Sequence, residues 1–299
     1  MNKIKITIKA FGLIGDDYDG KEIQQEKIVN INSSYKDLTQ EDLKQILKTL
    51  IASVKEIKVL YPDEQTDVIS HNDNRLFSIK FEITSIDSTG SCLLLEEKSF
   101  FELVAKHNSL APLILDYCKV TDDGEEGSRV MITHEYDEGP PAGTYAILAL
   151  VNQDKKWITH YIEFLRTNDL DHEVEQMWHI KAIIDKYGWC KETYELAIAR
   201  KVTCCGQGGK TQFKLLVNDG LKESLNENRN REIFLVSVLK EFQEWMTLES
   251  MVKNRSKDRS RDFIINNMAL YLKDFEEIVL PNEIANIESI LLEKMNDYF

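Results

Sequence analysis

The sharpest chemical motif in the 299-residue chain is the run Cys204-Cys205-Gly206-Gln207-Gly208-Gly209-Lys210-Thr211. Its last three residues match the end of a phosphate-binding loop. There, backbone N–H groups cradle the anion, a lysine meets the β/γ-phosphates and a threonine holds magnesium. The first glycine of that pattern falls at position 204, where this chain has cysteine. A working loop also needs a strand before it, which LAIARKVT at 196–203 would have to supply. It further needs an apolar strand ending in aspartate after it, which the sequence lacks. Gly209, Lys210 and Thr211 therefore define an alternative, a degenerate nucleotide site, against the simpler reading of a glycine turn between helices.

Thiol and imidazole chemistry is the next candidate. Cys190, Cys204 and Cys205 lie near His160, His172 and His179 in the chain. A nucleophilic thiol needs a base within hydrogen-bond reach, and a zinc site needs cysteine pairs two to four residues apart. Adjacent cysteines meet neither demand well. His172 and His179 are seven apart, hence on one helix face with Glu175, and read more simply as histidines satisfied by neighbouring carboxylates. No metal and no cofactor is expected.

Carboxylates form three clusters in polar, loop-like stretches: Asp16, Asp17 and Asp19; Asp122, Asp123, Glu125 and Glu126; and Glu135, Asp137 and Glu138. Paired carboxylates bind divalent cations or do acid–base work, but the spacing of a calcium-binding loop is missing. As a surface they would mate with lysine and arginine of a partner.

Bulk charge points the same way. Net charge is −14 with a pI near 5.0. Residues 1–152 hold 16 basic and 26 acidic side chains. Such a field repels phosphate backbones and attracts basic surfaces. The expected partner is thus a basic protein, such as a nuclease or other nucleic-acid-binding protein, with no direct nucleic-acid contact; self-association is compatible with the basic island KNRSKDRSRD at 253–262. The chain has no apolar run of the ~20 residues a membrane span needs, and its start alternates apolar and polar residues, unlike a signal peptide. Five scattered cysteines, Cys92, Cys118, Cys190, Cys204 and Cys205, suggest reduced thiols. The expectation is a cytoplasmic protein.

The elements that position these groups follow from periodicity. Residues 3–11 alternate with period two, placing Ile4, Ile6 and Ile8 on one face of a strand, and 26–32 would form the second arm of a hairpin. Thr39 and Asp42 make a capping box before an apolar helical stripe running from Leu43 through Leu60 to a stop at Pro62. Strands are expected at 66–70 and 129–133, a hairpin at 75–97, a helix from Ser99 to Tyr117 that Pro112 kinks or splits, and a buried strand in TYAILALV at 144–151. Beyond Val151 the pattern is helical. Asp154–Thr203 reads as three short helices, with Trp157, Tyr161, Phe164 and Leu165 on one face and Met177, Trp178 and Ile184 on the next. Gly188 ends the second. Further helices are expected near 213–226, 230–252, 257–278 and 283–298. The fold class is α+β: an N-terminal domain of helices and antiparallel strands, 1–151, followed by an all-helical domain, 152–299.

In size, charge and Lys/Asn/Ile-rich composition the chain resembles phage anti-defence proteins and immunity proteins against bacterial toxins. That resemblance is to a broad class, rests on no motif and carries over no residues. It implies a non-catalytic acidic inhibitor that covers a basic surface.

Overall fold

A computed structural model describes residues 2–12, 21–60, 66–70, 76–87, 90–120, 143–167, 174–203, 216–217, 219–250 and 257–295. It divides into two compact units, Met1–Trp157 and Ile158–Phe299. The fold is α+β, with a four-stranded antiparallel sheet near the N-terminus and a helical C-terminal part.

In the N-terminal unit β1 (Asn2–Gly12) and β2 (Lys21–Ile31) form the hairpin that the alternation predicts, with Ile6 opposite Lys27. β1 also pairs antiparallel with β5 (Leu76–Asp87), and β5 with β6 (Gly90–Glu96), so the sheet order is β2-β1-β5-β6. Period-two geometry sends Ile4, Ile6 and Ile8 to one face, where they are buried with Val29, Ile31, Phe81 and Ile83. The other face carries Lys5 on Glu26 (2.9 Å) and Lys9 on Glu82 (3.3 Å). Ile28 and Leu93, at 63% and 50% exposure, belong to that outer face.

The apolar face of the sheet is closed by helices. α1 (Gln40–Lys55) packs on β1 and β2, and α2 (Glu97–Ala105) on β5 and β6. Behind them lie α3 (Ala111–Val120) and α4 (Thr144–Gln153). Phe81, Phe100, Phe101 and Tyr117 meet edge-to-face or tilted, with ring centroids 4.8–6.3 Å apart, geometry that adds to their area burial.

The capping box is realised. Thr39 precedes the first turn of α1, its amide donates to Asp42 Oδ2 (3.1 Å), and its hydroxyl accepts from the Asp42 amide (3.3 Å). The stripe Leu43, Ile46, Leu47, Leu50 and Val54 is buried as expected. The helix, however, ends at Lys55 and not near Leu60. Residues 56–60 are a strand, β3 (Glu56–Leu60), paired antiparallel with β4 (Thr66–Ser70). Within EIKVL, Ile57 fits a helical stripe with Val54 and Leu60 and also a period-two strand with Val59, and β-branching together with an available partner decides for the strand.

One further expectation is met in part, since the helix is split, though upstream of Pro112; another is corrected. The segment 99–117 is two helices, divided by a 3-10 turn at Asn108–Leu110, so Pro112 falls in the first turn of α3, where its missing N–H costs nothing. Residues 144–151 form a helix, not a strand. Gly143, at φ 92°, turns the chain into α4, and Thr144, Ala146, Ile147, Ala149, Leu150 and Val151 are buried. A helix covered on nearly all sides reads as a continuous apolar run, just as a buried strand does. The strand expected at 129–133 lies outside the described residues.

The C-terminal unit contains α5 (Ile158–Thr167), α6 (Val174–Tyr187), α7 (Lys191–Thr203), α8 (Asp219–Ser224), α9 (Asn228–Ser250), α10 (Lys257–Lys273) and α11 (Pro281–Met295). α7 is central, packing against α5, α6 and α9, while α9, α10 and α11 pack on one another. Every residue from Thr193 to Arg200 is buried. Its N-terminus is closed by Thr193, whose hydroxyl accepts from the Cys190 amide (2.9 Å). Gly188 ends α6 at φ 69°, and its amide donates to the Ile184 carbonyl (2.8 Å).

The core of this unit joins the predicted stripes: Phe234, Val238, Phe242 and Trp245 on α9, Ile264, Met268, Tyr271 and Leu272 on α10, and Ile287, Leu291 and Met295 on α11. Three details differ. Trp178 is 64% exposed with Lys181 Nζ 5.9 Å from its ring centroid, while Met177, Ile180, Ile183 and Ile184 fill the buried face of α6. α10 ends at Lys273 in a series of turns through Ile278. α11 begins at Pro281 and not near 283, and proline's fixed φ suits that first helical position.

Candidate functional site

Every acidic candidate lies outside the described residues: Asp16, Asp17 and Asp19, Asp122, Asp123, Glu125 and Glu126, and Glu135, Asp137 and Glu138. So do Gly209, Lys210 and Thr211, together with Cys204, Cys205 and His172. What leads into the glycine turn is described, and it is the helix α7 through Thr203. The upstream strand that a phosphate-binding loop springs from is therefore a helix here. Cys190 is half-buried, and its thiol donates to Glu192 Oε2 at 3.1 Å. Among the described residues no group of three or more His, Cys, Asp or Glu side chains is arranged to hold a metal ion.

The structure instead reveals a chemical cluster that sequence reading missed. Glu241 on α9 is fully buried, and so is Glu195 on α7. Arg166 at the end of α5 donates to Glu241 Oε2 at 2.5 Å and to Glu163 Oε1 at 2.7 Å. Lys240 lies between the two buried carboxylates, 2.8 Å from Glu195 Oε2 and 3.6 Å from Glu241 Oε1. Lys191 closes the chain 3.8 Å from Glu195 Oε1. Three helices thus contribute alternating charges, two anions against Arg166 and Lys240.

The local sequence explains each placement. Arg166 follows the buried pair Phe164 and Leu165, so its stem runs along the apolar seam while the guanidinium turns inward. Glu195 is enclosed because the whole face-to-face span of α7 is enclosed. Glu241, next to Phe242, borders the buried stripe of α9, whereas Lys240 lies on the other side of the helix from Val238 and Phe242 and reaches Glu195 from there.

The electrostatics are set by water exclusion. Burial pushes the Glu241 carboxyl above the ordinary range; Arg166 and Lys240 pull it back down, and Glu195 adds to the upward push. For Lys240, burial pushes down, but the hydrogen bond and charge of Glu195, with the charge of Glu241, leave it raised. The cluster can hold a proton at Glu241 or hold three helices in register.

A second pair, Arg231 and Glu283, is half-covered. Nε of Arg231 donates to Glu283 Oε1 at 2.8 Å, and its Nη2 donates to Oε2. In the N-terminal unit Asp42 is the most heavily engaged carboxylate. Burial pushes it up, but the hydroxyls of Ser33 and Thr39 and the amides of Asn32 and Thr39 outweigh that and hold it at about 2.

No signal at single-sequence level marks Arg166 and Glu241 as partners, since three of the described helices, α6, α7 and α8, lie between them in the chain. The one available hint was Glu195 and Arg200 within an otherwise apolar helix. No helix among the described residues is long and apolar enough to cross a membrane. Compared with protein-family models, with curated proteins and with solved structures, the chain matches none.

Proposed function

We propose that this chain is a non-catalytic, acidic interaction protein of the cytoplasm. In this reading it is an inhibitor of the phage anti-defence or toxin-immunity type. It covers a basic surface on a partner protein, such as the nucleic-acid-binding face of a nuclease.

The observation that carries the reading is the distribution of charge. Net charge is −14, and residues 121–142 alone hold seven carboxylates against one arginine. The use of cations inside the fold supports it. Arg166, Lys240 and Arg231 are each engaged with carboxylates of the C-terminal unit, and Lys5 and Lys9 with carboxylates of the sheet. These pairs cancel one for one, so the field outside is set by the excess of carboxylates that the net charge of −14 records. Such a field speeds encounter with a basic partner and rejects acidic ones.

The test is affinity capture from cytoplasm followed by titration against the captured protein. The complex weakens from low to high salt. Simultaneous Asp122→Lys, Asp123→Lys, Glu125→Lys and Glu126→Lys lowers affinity at least about tenfold, mostly through the association rate. A captured partner with an acidic surface, or affinity indifferent to both salt and charge reversal, would overturn the reading.

A further inference from the structure

Arg166 is 8% exposed and Glu241 not at all. A guanidinium so deeply covered keeps its place only while a negative charge faces it, because a buried cation without a counter-charge is costly. Glu163, its other partner, is largely exposed and screened by water. Glu241 is therefore the group that holds Arg166 inward, and with it ties the last turn of α5 to α9, while the body of α5 packs on α7.

We propose that Glu241 is a proton-operated latch: in mildly acidic solution it takes up a proton, Arg166 turns out to Glu163 and solvent, and the last turn of α5 comes free of α9 while the body of α5 stays packed on α7.

The groups acting on Glu241 come from three helices: Arg166 from α5, Lys240 from α9 itself, and Glu195 from α7. Lys240, at 42% exposure, is the member of the cluster that reaches solvent. Neutralising Glu241 relieves the repulsion between it and Glu195 and leaves Lys240 to Glu195 alone, at 2.8 Å. That pair then remains satisfied; Arg166 is the group that has to move.

Thermodynamic linkage decides why this is a latch and not acid unfolding. Glu241 lies above its ordinary value of 4.5 in the folded chain. The fold then binds that proton more readily than the unfolded chain does. Stability from Glu241 is fully present below the unfolded value and is lost as pH rises through the folded value, so acidification through this window does not unfold the protein. Asp42 and Glu283 lie below their ordinary values, and what they contribute is lost only at lower pH.

Hydrogen exchange on the full chain tests the latch. In the unaltered protein the amides in the last turn of α5, relative to those of α7 and after correction for intrinsic rates, exchange at least about tenfold faster at pH 4.5, the ordinary value of the carboxyl, than at about pH 7.5. Glu241→Gln, which mimics the neutral carboxyl, exchanges fast in that turn at both values. Arg166→Gln removes the same contact from the other side and gives the same result, so the test survives if one variant does not fold. Equal protection of that turn in the unaltered protein at both pH values overturns the latch. So does a Glu241→Gln protein that keeps the original pH response.

Discussion

Arg231, in the first turn of α9, and Glu283, in the first turn of α11, are joined by two hydrogen bonds that span 52 residues of sequence. The same Glu283 accepts from the Leu280 amide at 2.8 Å, so one carboxylate both caps α11 and ties it to α9. The Arg231 hydrogen bond is the largest influence holding Glu283 below its usual range, with burial opposing and the Leu280 amide assisting. Glu283→Ala therefore removes a cap and a bidentate pair together. A loss of about 1–3 kcal/mol in urea unfolding is expected, larger than for Arg231→Ala, which leaves the cap.

Asp42 joins two stretches of chain, the turn after β2 and the start of α1. Its ordinary value of 3.8 falls to about 2 in the fold. A carboxylate lowered by that much contributes about 2 kcal/mol near neutral pH. The contribution is fully present above the unfolded value and disappears as pH falls through the folded one. Asp42→Asn should cost about that amount at pH 7, and the gap between variant and unaltered protein should close progressively in acid. Denaturant unfolding across a pH series measures it, and a gap independent of pH would show that Asp42 acts by shape alone.

Gly188 isolates a backbone effect. It stands at φ 69°, and a Cβ built there meets nothing within 4 Å. Gly188→Ala should thus cost only the left-handed conformation, about 1–2 kcal/mol, and Gly188→Asn less than alanine, since asparagine tolerates that region better. Equal losses for both would mean that the site resists side chains by crowding.

Two tryptophans give an optical check on the C-terminal unit. Trp178 is largely exposed, whereas Trp245 is buried against Phe242, Phe263 and Tyr271. Trp178→Phe should remove most acrylamide-quenchable emission and change stability by less than about 0.5 kcal/mol. Trp245→Ala should cost about 3–5 kcal/mol through the cavity it opens.

Much of the architecture could be read from residue order because the signals are local. Ile4, Ile6 and Ile8 alternate, Thr39 and Asp42 stand at capping distance, and the stripe from Phe234 to Trp245 repeats at helical spacing. Reading failed where one pattern serves two structures. Ile57 fits a helical stripe with Leu60 and a strand with Val59, and TYAILALV carries no polar side to fix its period. Trp178 was misplaced since an aromatic at stripe spacing says nothing about which neighbour covers it. The Arg166–Glu241 contact was beyond reach for a different reason. Ion pairs leave no periodic trace, and this one depends on how α5, α7 and α9 meet.

The enclosure of α7 bears on how the chain comes to be folded during synthesis. Its cover includes α9, which leaves the ribosome later, so the span from Thr193 to Arg200 must wait in water with only its upstream neighbours. Glu195 and Arg200 keep that waiting segment charged, and Glu195 then finds Lys240 on the helix that arrives to bury it.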